Sequence, residues 1–381
     1  MSYDVIVVGA RVAGASTAML LARAGARVLL LDRGRRGADM VSTHALMRAG
    51  VLQLSRWGLL ERVVAAGTPA ITSTTFRYPG EAPVTVAIRP SPGVEALYAP
   101  RRTVLDAILV DAAVEAGVEV RHATAVTGLL RDDTGRVRGV RTSGGDLAAR
   151  YVVGADGVRS LVAAEAGAAL LAAGRHRSAV RYTYVDLDAD ADAAGGGTQW
   201  LYGDGVAGGV IPTGGGASCV FVSSTPARLG RMRSEDQWRA ALSEMAPGHP
   251  AVDARRVDRF HGWSGLPGVL RQASGPGWVL VGDAGFYKDP MSTHGITDAL
   301  RDAELAANAV VAALAGDHSA LPAFGHLRDE LARPMLDVSD RIASYSWRGA
   351  GVVPLVKELS VAMADEVVLL EGLAAVAEGA A

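Results

Sequence analysis

Three acidic residues follow short apolar runs that are typical of buried strands: Asp32, Asp156 and Asp283. A carboxylate at a strand end is a good acceptor for the hydroxyls of a sugar. Two histidines, His44 and His294, close identical Ser-Thr-His tripeptides, and imidazole can take up a proton near neutral pH. The pattern predicts a site for a sugar-bearing ligand with two candidate bases; the alternative is that each histidine is buried and bonded to backbone.

The first thirty-two residues predict a strand–helix–strand unit that binds a dinucleotide. Apolar runs at 3–8 and 27–32 flank a helix that follows Gly9-Ala10-Arg11-Val12-Ala13-Gly14. The helix N-terminus offers unpaired N–H groups to a pyrophosphate, and Asp32 can accept a hydrogen bond from the adenosine ribose. Arg11 replaces the middle glycine of the usual G-x-G-x-x-G pattern. It is predicted either to put its guanidinium beside the phosphates or to alter the turn.

Composition limits the class of protein. The chain has 381 residues and a net charge of −2, so its charge gives no reason to expect a nucleic-acid partner. Cys219 is the single cysteine, which excludes intrachain disulfides and cysteine metal clusters. The chain begins directly in a strand and has no apolar run long enough to span a bilayer. We therefore expect a cytoplasmic monomer or homodimer with no signal peptide and no bound metal.

The chain is predicted to form two interleaved domains and a helical C-terminus. A helix from Ser234 to Met245, capped by Ser234, is predicted within the inserted domain. The C-terminal helices are predicted to break at Pro334 and Pro354. The predicted boundaries are 1–70, 101–167 and 276–318 for the nucleotide domain, 71–100 and 168–275 for the inserted sheet, and 319–381 for the helices.

Three distant segments together carry a resemblance to a known family. They are Gly9 to Asp32, Gly154-Ala155-Asp156-Gly157-Val158-Arg159-Ser160, and Gly282-Asp283-Ala284 with Pro290 and a helix after it. This ordered set resembles the FAD-dependent aromatic hydroxylases (class A flavoprotein monooxygenases) of the para-hydroxybenzoate hydroxylase superfamily, over residues 1 to about 315. It implies an α/β fold: a Rossmann-like FAD-binding domain (GR2-type) with an inserted antiparallel β-sheet substrate domain and a helical C-terminus.

The resemblance also implies FAD as cofactor, NAD(P)H as reductant and a set of cofactor-binding residues. Arg33 lies in a basic loop that either touches the adenosine end or is simply solvated. Arg102, with Arg101 as a rival, is the arginine ahead of the next helix, and Asp156 either contacts FAD and NAD(P)H or only stabilises its turn. Asp283 is expected to hold the ribityl hydroxyls. The implied cofactor-binding residues are Gly9, Arg11, Gly14, Asp32, Arg33, Arg102, Asp156, Gly282, Asp283, Pro290 and Gly295.

The sequence departs from the family in the turn after Pro290. The family has a glycine-rich turn there, whereas this chain has Met291-Ser292-Thr293-His294-Gly295. The N–H groups of His294 and Gly295 are expected at a helix N-terminus, where they can stabilise negative charge on the reduced flavin. We expect His44 and His294 to flank the isoalloxazine, as a base for a phenol or as a hydrogen-bond partner of the ring.

The implied reaction is hydroxylation of an aromatic or polyketide-like small molecule with O2. In the family, NAD(P)H reduces the flavin, and a flavin C4a-hydroperoxide then transfers OH to the substrate. The pocket is predicted between the 282–296 loop and the inserted sheet; ordinary sheet core is the alternative. The predicted pocket residues are Trp200, Tyr202, Ile211, Pro212 and Phe221.

Other functions of the same superfamily stay open. A prenyl or ene reductase or a dehydrogenase would share the cofactor site, but a reductase would turn over without O2. A halogenase is disfavoured because residues 207–212 lack both tryptophans of W-x-W-x-I-P, and neither Lys288 nor Lys357 matches the catalytic lysine of that class. A non-enzymatic binding module is the last alternative, and it would not need FAD.

Overall fold

The structure is a computed structural model that describes residues 3–187 and 197–379, with side chains described up to residue 373. Residues 1–2, 188–196 and 380–381, which the predicted boundaries include, lie outside the described residues. The strands are β1 (Tyr3–Val8), β2 (Val28–Leu31), β3 (Ser73–Arg77), β4 (Val84–Ala87), β5 (Glu119–Arg121), β6 (Val126–Arg131), β7 (Val137–Thr142), β8 (Gly145–Gly154), β9 (Leu170–Ala173), β10 (Ala179–Asp186), β11 (Thr198–Gly203), β12 (Val206–Pro212), β13 (Ala217–Ser224), β14 (Arg255–Arg256), β15 (His261–Trp263), β16 (Val269–Arg271), β17 (Ser274–Gly275), β18 (Trp278–Leu280) and β19 (Phe286–Tyr287).

The helices follow the same chain order. Short 3-10 helices at Gly282–Ala284 and Pro290–Ser292 lie between β18 and the long eighth helix. The α-helices are α1 (Val12–Arg23), α2 (Arg48–Arg56), α3 (Leu60–Ala65), α4 (Arg102–Glu115), α5 (Leu161–Ala166), α6 (Pro226–Leu229), α7 (Glu235–Met245), α8 (Gly295–Leu314), α9 (Ala320–Ala343) and α10 (Val353–Gly379).

The first sheet is the predicted nucleotide-binding sheet. Its central strands run in the order β18-β8-β1-β2-β5 and are all parallel. Every residue of β2 is buried, because helices cover the faces of a parallel sheet. Helices α1, α4 and α8 pack together on one face. The Rossmann-like fold class is therefore confirmed, and the carboxyl ends of β1, β2 and β18 meet at one edge.

The second sheet is the inserted one, in the order β14-β10-β13-β12-β11-β3-β4. Its neighbours are antiparallel except for β11 and β3, which pair in parallel. Strand β3 lies in an earlier part of the chain, so the hairpin geometry that forces neighbours to be antiparallel does not apply to this pair. Helix α7 covers the outer face, and α9 and α10 cover the inner face.

The predicted helix break at Pro334 is wrong. Helix α9 runs through Pro334 from Ala320 to Ala343. A proline inside a helix removes one hydrogen bond, and its ring also clashes with the preceding turn. Here Met335, Leu336 and Ile342 are buried against the inserted sheet, and this packing outweighs the local penalty. Pro354 lies in the first turn of α10, where proline is tolerated.

Among residues 3–187 and 197–379, none of the helices combines the length and the hydropathy that crossing a bilayer would require.

Candidate functional site

The turn between β1 and α1 has the close packing that a phosphate site needs. Gly9 has a φ of +108°, and a Cβ on it would lie 2.3 Å from the carbonyl oxygen of Ala155. A Cβ on Gly14 would lie 1.7 Å from the carbonyl oxygen of Gly9. Helix α1 has no side-chain cap, so its first N–H groups are available to a ligand.

Asp32 lies beside this turn at the end of β2. One of its carboxylate oxygens accepts a hydrogen bond from the Ala10 N–H at 2.7 Å, and the other accepts from the Gly34 N–H at 2.6 Å. Each oxygen keeps a second lone pair that a ribose hydroxyl can use. Asp32 lines a cleft with Ala10, Arg11, Arg36, Thr103 and Asp106. Arg33 is exposed, and the structure gives it no contact with this cleft.

Arg11 and Arg102 are held in the wall of the cleft by one carboxylate. Both guanidinium groups lie 2.9 Å from Asp106, and Arg11 also donates to the Ala38 carbonyl at 2.5 Å. The side chain that replaces the fingerprint glycine is therefore folded across the cleft. The family's arginine, Arg102, binds both oxygens of the same aspartate, and its contact with the cofactor stays a prediction.

The carboxylate of Asp156 binds the first N–H groups of α5. Its carboxylate accepts hydrogen bonds from the Ser160 hydroxyl at 2.5 Å and from the Leu161 and Val162 N–H groups at 2.7 and 3.2 Å. An acid at a helix N-terminus stabilises the helix through these bonds. This geometry favours the alternative in which Asp156 stabilises its turn.

The turn after β18 brings a second carboxylate to the site. Gly282 has a φ of +55°, and a Cβ on it would lie 2.9 Å from the Cβ of Ala13 on α1. The next residue, Asp283, is accessible to solvent and has no hydrogen bond or ion pair within the described residues. The protein around Asp283 displaces part of its hydration, which raises the pKa of its carboxyl group to about 6. The positive charges of Lys288 and Arg102 oppose this rise. An accessible, unpaired carboxylate in a recess fits a partner with hydroxyl groups.

The turn at Pro290 leads into the N-terminus of α8. The 3-10 helix Pro290–Ser292 is capped by the Asp289 side chain, and Thr293 has a φ of +50°. Helix α8 begins at Gly295 with no side-chain cap. Gly295 is exposed, and a Cβ on it would meet nothing within 4 Å, so space is open beside the start of α8. A flat ring carrying negative charge suits that space.

His294, the residue before α8, is fully buried against the last helix. Its Nε2 lies 2.5 Å from a carboxylate oxygen of Glu366 on α10, and Arg301 lies 3.6 Å from the other oxygen. Burial lowers the pKa of His294, and Glu366 offsets this only in part. Because an ionised carboxylate can only accept, Nε2 carries the hydrogen. Nδ1, which has no partner among the residues that the structure describes, keeps its lone pair.

Glu366 belongs to a buried network of opposite charges. Lys288 and Arg301 both contact Asp298, and Arg301 also contacts Asp302 at 2.7 Å. The ligand atoms of His294, Asp298 and Glu366 lie within 4.8 Å of one another, a spacing that could hold a metal ion. The two cationic side chains already occupy these carboxylates and would repel a metal there.

His44 lies on the side of the inserted sheet. It has a φ of +69°, and its Nε2 is hydrogen-bonded to the hydroxyl of Tyr184 on β10. Burial, with Arg102 and Arg101 nearby, lowers the pKa of His44 to about 3. His44 is thus neutral at physiological pH, and its Nδ1 has no partner.

The two Ser-Thr-His segments lie close together. The Met47 N–H, three residues after His44, donates to the hydroxyl of Thr297 at 3.1 Å, and Thr297 follows His294 by three residues. The structure therefore brings the loop after β2 beside the start of α8. The catalytic role of both histidines stays a prediction.

The predicted pocket residues lie on the inserted sheet. Tyr202, Ile211 and Phe221 are buried in the core between the sheet and the C-terminal helices, and Trp200 and Pro212 are half-buried. The Tyr202 ring stacks on Tyr78 with 5.5 Å between ring centroids. Tyr184, the partner of His44, belongs to the same core, and a direct contact of the predicted pocket residues with substrate stays a prediction.

Two contacts of the site carry no sequence signal. Glu366 belongs to no motif and lies 72 residues after its partner His294. Tyr184 is one of several aromatic residues in alternating strands, and only the sheet register aims it at His44. The one sequence feature that points to the buried charge network is Lys288, since a lysine is rare in this arginine-rich chain.

These residues together fit FAD. Glycines allow close approach at the phosphate turn, Asp32 and the unpaired Asp283 are acceptors for sugar and ribityl hydroxyls, and the N-terminus of α8 faces open space where the ring would lie.

Comparison with known proteins agrees with this geometry. The model of the FAD binding domain family matches residues 2–339. A digeranylgeranylglycerophospholipid reductase of Methanosarcina mazei is 29% identical over 337 residues, which cover 83% of this chain and 77% of the relative. The solved structure of PqsL, a probable FAD-dependent monooxygenase from Pseudomonas aeruginosa, matches with a TM-score of 0.77 at 23% identity over 90% of this chain and 96% of that one. The flavin-dependent brominase Bmp2 matches with a TM-score of 0.76 at 18% identity, over 94% and 89%.

The chain belongs to the FAD binding domain family. It is an FAD-dependent oxidoreductase, as the sequence predicts.

Proposed function

We propose that the protein is a monooxygenase that hydroxylates an aromatic or polyketide-like small molecule with NAD(P)H and O2. The observation that carries this proposal is the His294–Glu366 pair beside the open space at Gly295. An imidazole that gives its Nε2 hydrogen to a carboxylate keeps a lone pair on Nδ1, as a general base for a phenol requires. An ionised phenol gives up electron density from its ring carbons more readily than a neutral one.

FAD, when bound, would supply the redox chemistry that activates O2, with NAD(P)H as the reductant. The glycines and the N-terminus of α1 would hold its phosphates, and Asp32 and Asp283 would hold its hydroxyls. The N–H groups at the start of α8 would stabilise negative charge on the ring. His294 takes the proton of the substrate phenol at Nδ1, and Glu366 stabilises the resulting imidazolium. The overall reaction converts substrate, O2, NAD(P)H and a proton into hydroxylated product, NAD(P)+ and water.

A prenyl-lipid reductase is the second candidate. It is favoured by the sequence similarity to a digeranylgeranylglycerophospholipid reductase. The same cofactor site would then deliver its electrons to a carbon–carbon double bond, and O2 would have no part in the reaction.

Turnover with and without O2 distinguishes the two candidates. The FAD-loaded protein is given NADPH or NADH with panels of phenols, polyketides and prenyl lipids, and products are analysed by mass spectrometry. A monooxygenase yields a product that carries oxygen from isotopically labelled O2, and it yields no product anaerobically. A saturated prenyl product formed without O2 would replace the monooxygenase proposal with the reductase. A His294→Ala variant that hydroxylates as well as the parent would remove the base from the mechanism.

A further inference from the structure

Most of the charged side chains around the site are paired. Among the described residues there, Asp283 and Arg101 are not, and Asp283 is the one expected to bind the cofactor. Arg102 is paired with Asp106, and Lys288 is paired with Asp298. Within the described part of the chain, Arg101, immediately before α4, makes no ion pair and no side-chain hydrogen bond. A guanidinium N–H that is buried without an acceptor loses hydration that nothing replaces.

The position of Arg101 is on the substrate side of the site. Its guanidinium carbon lies 3.8 Å from the centroid of the Tyr184 ring, on the inner face of the inserted sheet. The side chain is only half-buried, but its Nε is fully buried and has no partner. Stacking on the tyrosine holds the planar group in one orientation and leaves its N–H edge free.

A second unpartnered nitrogen lies against the same tyrosine. The His44 ring stacks on Tyr184 with 5.7 Å between ring centroids, and its Nδ1 is buried without a partner. When the Tyr184 hydroxyl donates to Nε2, the hydrogen of the neutral imidazole is on Nδ1. The guanidinium and Nδ1–H are then two donors that lie against the same tyrosine and lack partners among the described residues.

We propose that Arg101, assisted by His44, binds an oxyanion of the substrate, so that the enzyme acts on an acid. The oxyanion is a carboxylate or a phosphate, both of which accept the fork of N–H groups that arginine presents. This inference rests on the proposed function, and it specifies that the substrate carries a negative charge. Arg102 faces the cofactor side through Asp106, so the two adjacent arginines have separate tasks.

Equilibrium binding without turnover tests the inference. Oxidised, FAD-loaded protein is titrated by calorimetry, without NAD(P)H, against matched pairs of probes: salicylate with salicylamide, and geranyl phosphate with geraniol. The variants are Arg101→Gln, Arg101→Lys and the control Arg233→Gln, which changes an exposed arginine beside α7 on the outer face of the sheet. FAD affinity is measured separately for each protein.

The parent is expected to bind at least one anion about tenfold or more tightly than its neutral partner, as charge-assisted hydrogen bonds allow. Arg101→Gln should abolish this preference without changing FAD affinity, Arg101→Lys should keep part of it, and Arg233→Gln should keep all of it. Preference for salicylate identifies a carboxylate substrate, and preference for geranyl phosphate identifies a phosphate.

Three results would overturn the inference, and they are distinguishable. A parent that binds FAD but prefers neither anion rejects the oxyanion site and leaves the proposed function standing. An Arg101→Gln variant that loses FAD and keeps the anion preference assigns the arginine to the cofactor. A parent that binds no FAD rejects the proposed function and the inference together.

Discussion

At the scale of single residues, the site depends on groups that burial keeps uncharged or paired. His44 is neutral because taking a charged imidazole out of water is costly, and Arg101 and Arg102 add to that cost. Glu366 keeps its charge because His294 and Arg301 surround it. We therefore expect His44 to affect how stability depends on pH, and Glu366 to affect stability when it is replaced.

Replacing His44 should change how stability depends on pH. The folded pKa of His44, about 3, lies below its ordinary value of 6.5. The unfolded chain therefore binds the extra proton as the pH falls through this window. The free energy of unfolding is therefore unaffected by His44 above about pH 6.5, and it decreases as the pH falls from about 6.5 towards 3. Acidification from about pH 7.5 to about pH 5.5 should lower the free energy of unfolding by about 1.3 kcal/mol through His44 alone.

Urea unfolding of the parent and of His44→Asn at both pH values measures this effect, since asparagine tolerates the positive φ. The loss of stability on acidification should be smaller in the variant by about that amount. Equal losses in the two proteins would mean that His44 is not buried as a neutral group.

Removing Glu366 should destabilise the protein strongly. Glu366→Ala leaves His294 and Arg301 buried without this carboxylate, and breaking a buried pair in this way costs about 3 kcal/mol or more. Glu371→Ala removes an exposed acid from the same helix and should change the free energy of unfolding by less than about 0.5 kcal/mol. Urea unfolding of both variants makes the comparison, and similar stabilities would contradict the buried network.

The sequence could predict residues whose role is local. Gly9 and Gly14 are recognisable because a turn that approaches a phosphate excludes side chains, and Asp32 and Asp283 because they end strands. Glu366 could not be predicted, since its contact with His294 depends on how α10 packs over the sheet. Asp156 is recognisable as part of a motif, but the binding of its carboxylate at the start of α5 depends on the fold.

At the scale of elements, α1 is positioned by two glycines rather than by its own propensity. Gly14→Ala should force α1 away from β1, because the new Cβ would lie 1.7 Å from the Gly9 carbonyl oxygen. Overpacking of this kind costs about 1–3 kcal/mol, and the displaced N-terminus should also weaken FAD binding. Gly372→Ala is the matched control, since its Cβ would meet nothing within 4 Å in α10.

Thermal unfolding and FAD titration of the two glycine variants check this prediction. The Gly372→Ala protein should be as stable as the parent or slightly more stable, since alanine favours a helix. A Gly14→Ala protein with parental stability and FAD affinity would show that α1 can move freely and that the glycines do not position it.

Element boundaries were predictable where local chemistry decides them. The capping box of Ser234 and Gln237 starts α7 where the sequence predicts it. Pro334 misled the prediction because a local rule was outweighed by burial of α9 against the inserted sheet. The parallel pairing of β11 with β3 had no local signal, since these strands are far apart in the chain.

At the scale of the whole molecule, we propose that three parts of the chain build one elongated FAD site. In this proposal the β1–α1 turn and Asp32 form one end, Asp283 the middle, and the start of α8 the other end. Helix α10 closes the back of this last region through Glu366. A single cofactor with a nucleotide, a ribityl chain and a flat ring matches this order of sites.

The most direct test of a single extended FAD site is a calorimetric titration of FAD and ADP into the FAD-free parent, Asp32→Asn and Asp283→Asn. The parent should bind both ligands. Asp32→Asn should weaken both by about tenfold, whereas Asp283→Asn should weaken FAD by about tenfold and leave ADP unchanged, because one lost charge-assisted hydrogen bond is worth about 1.4 kcal/mol. A parent that takes up no FAD, or an Asp283→Asn protein with unchanged FAD affinity, would contradict the single extended site.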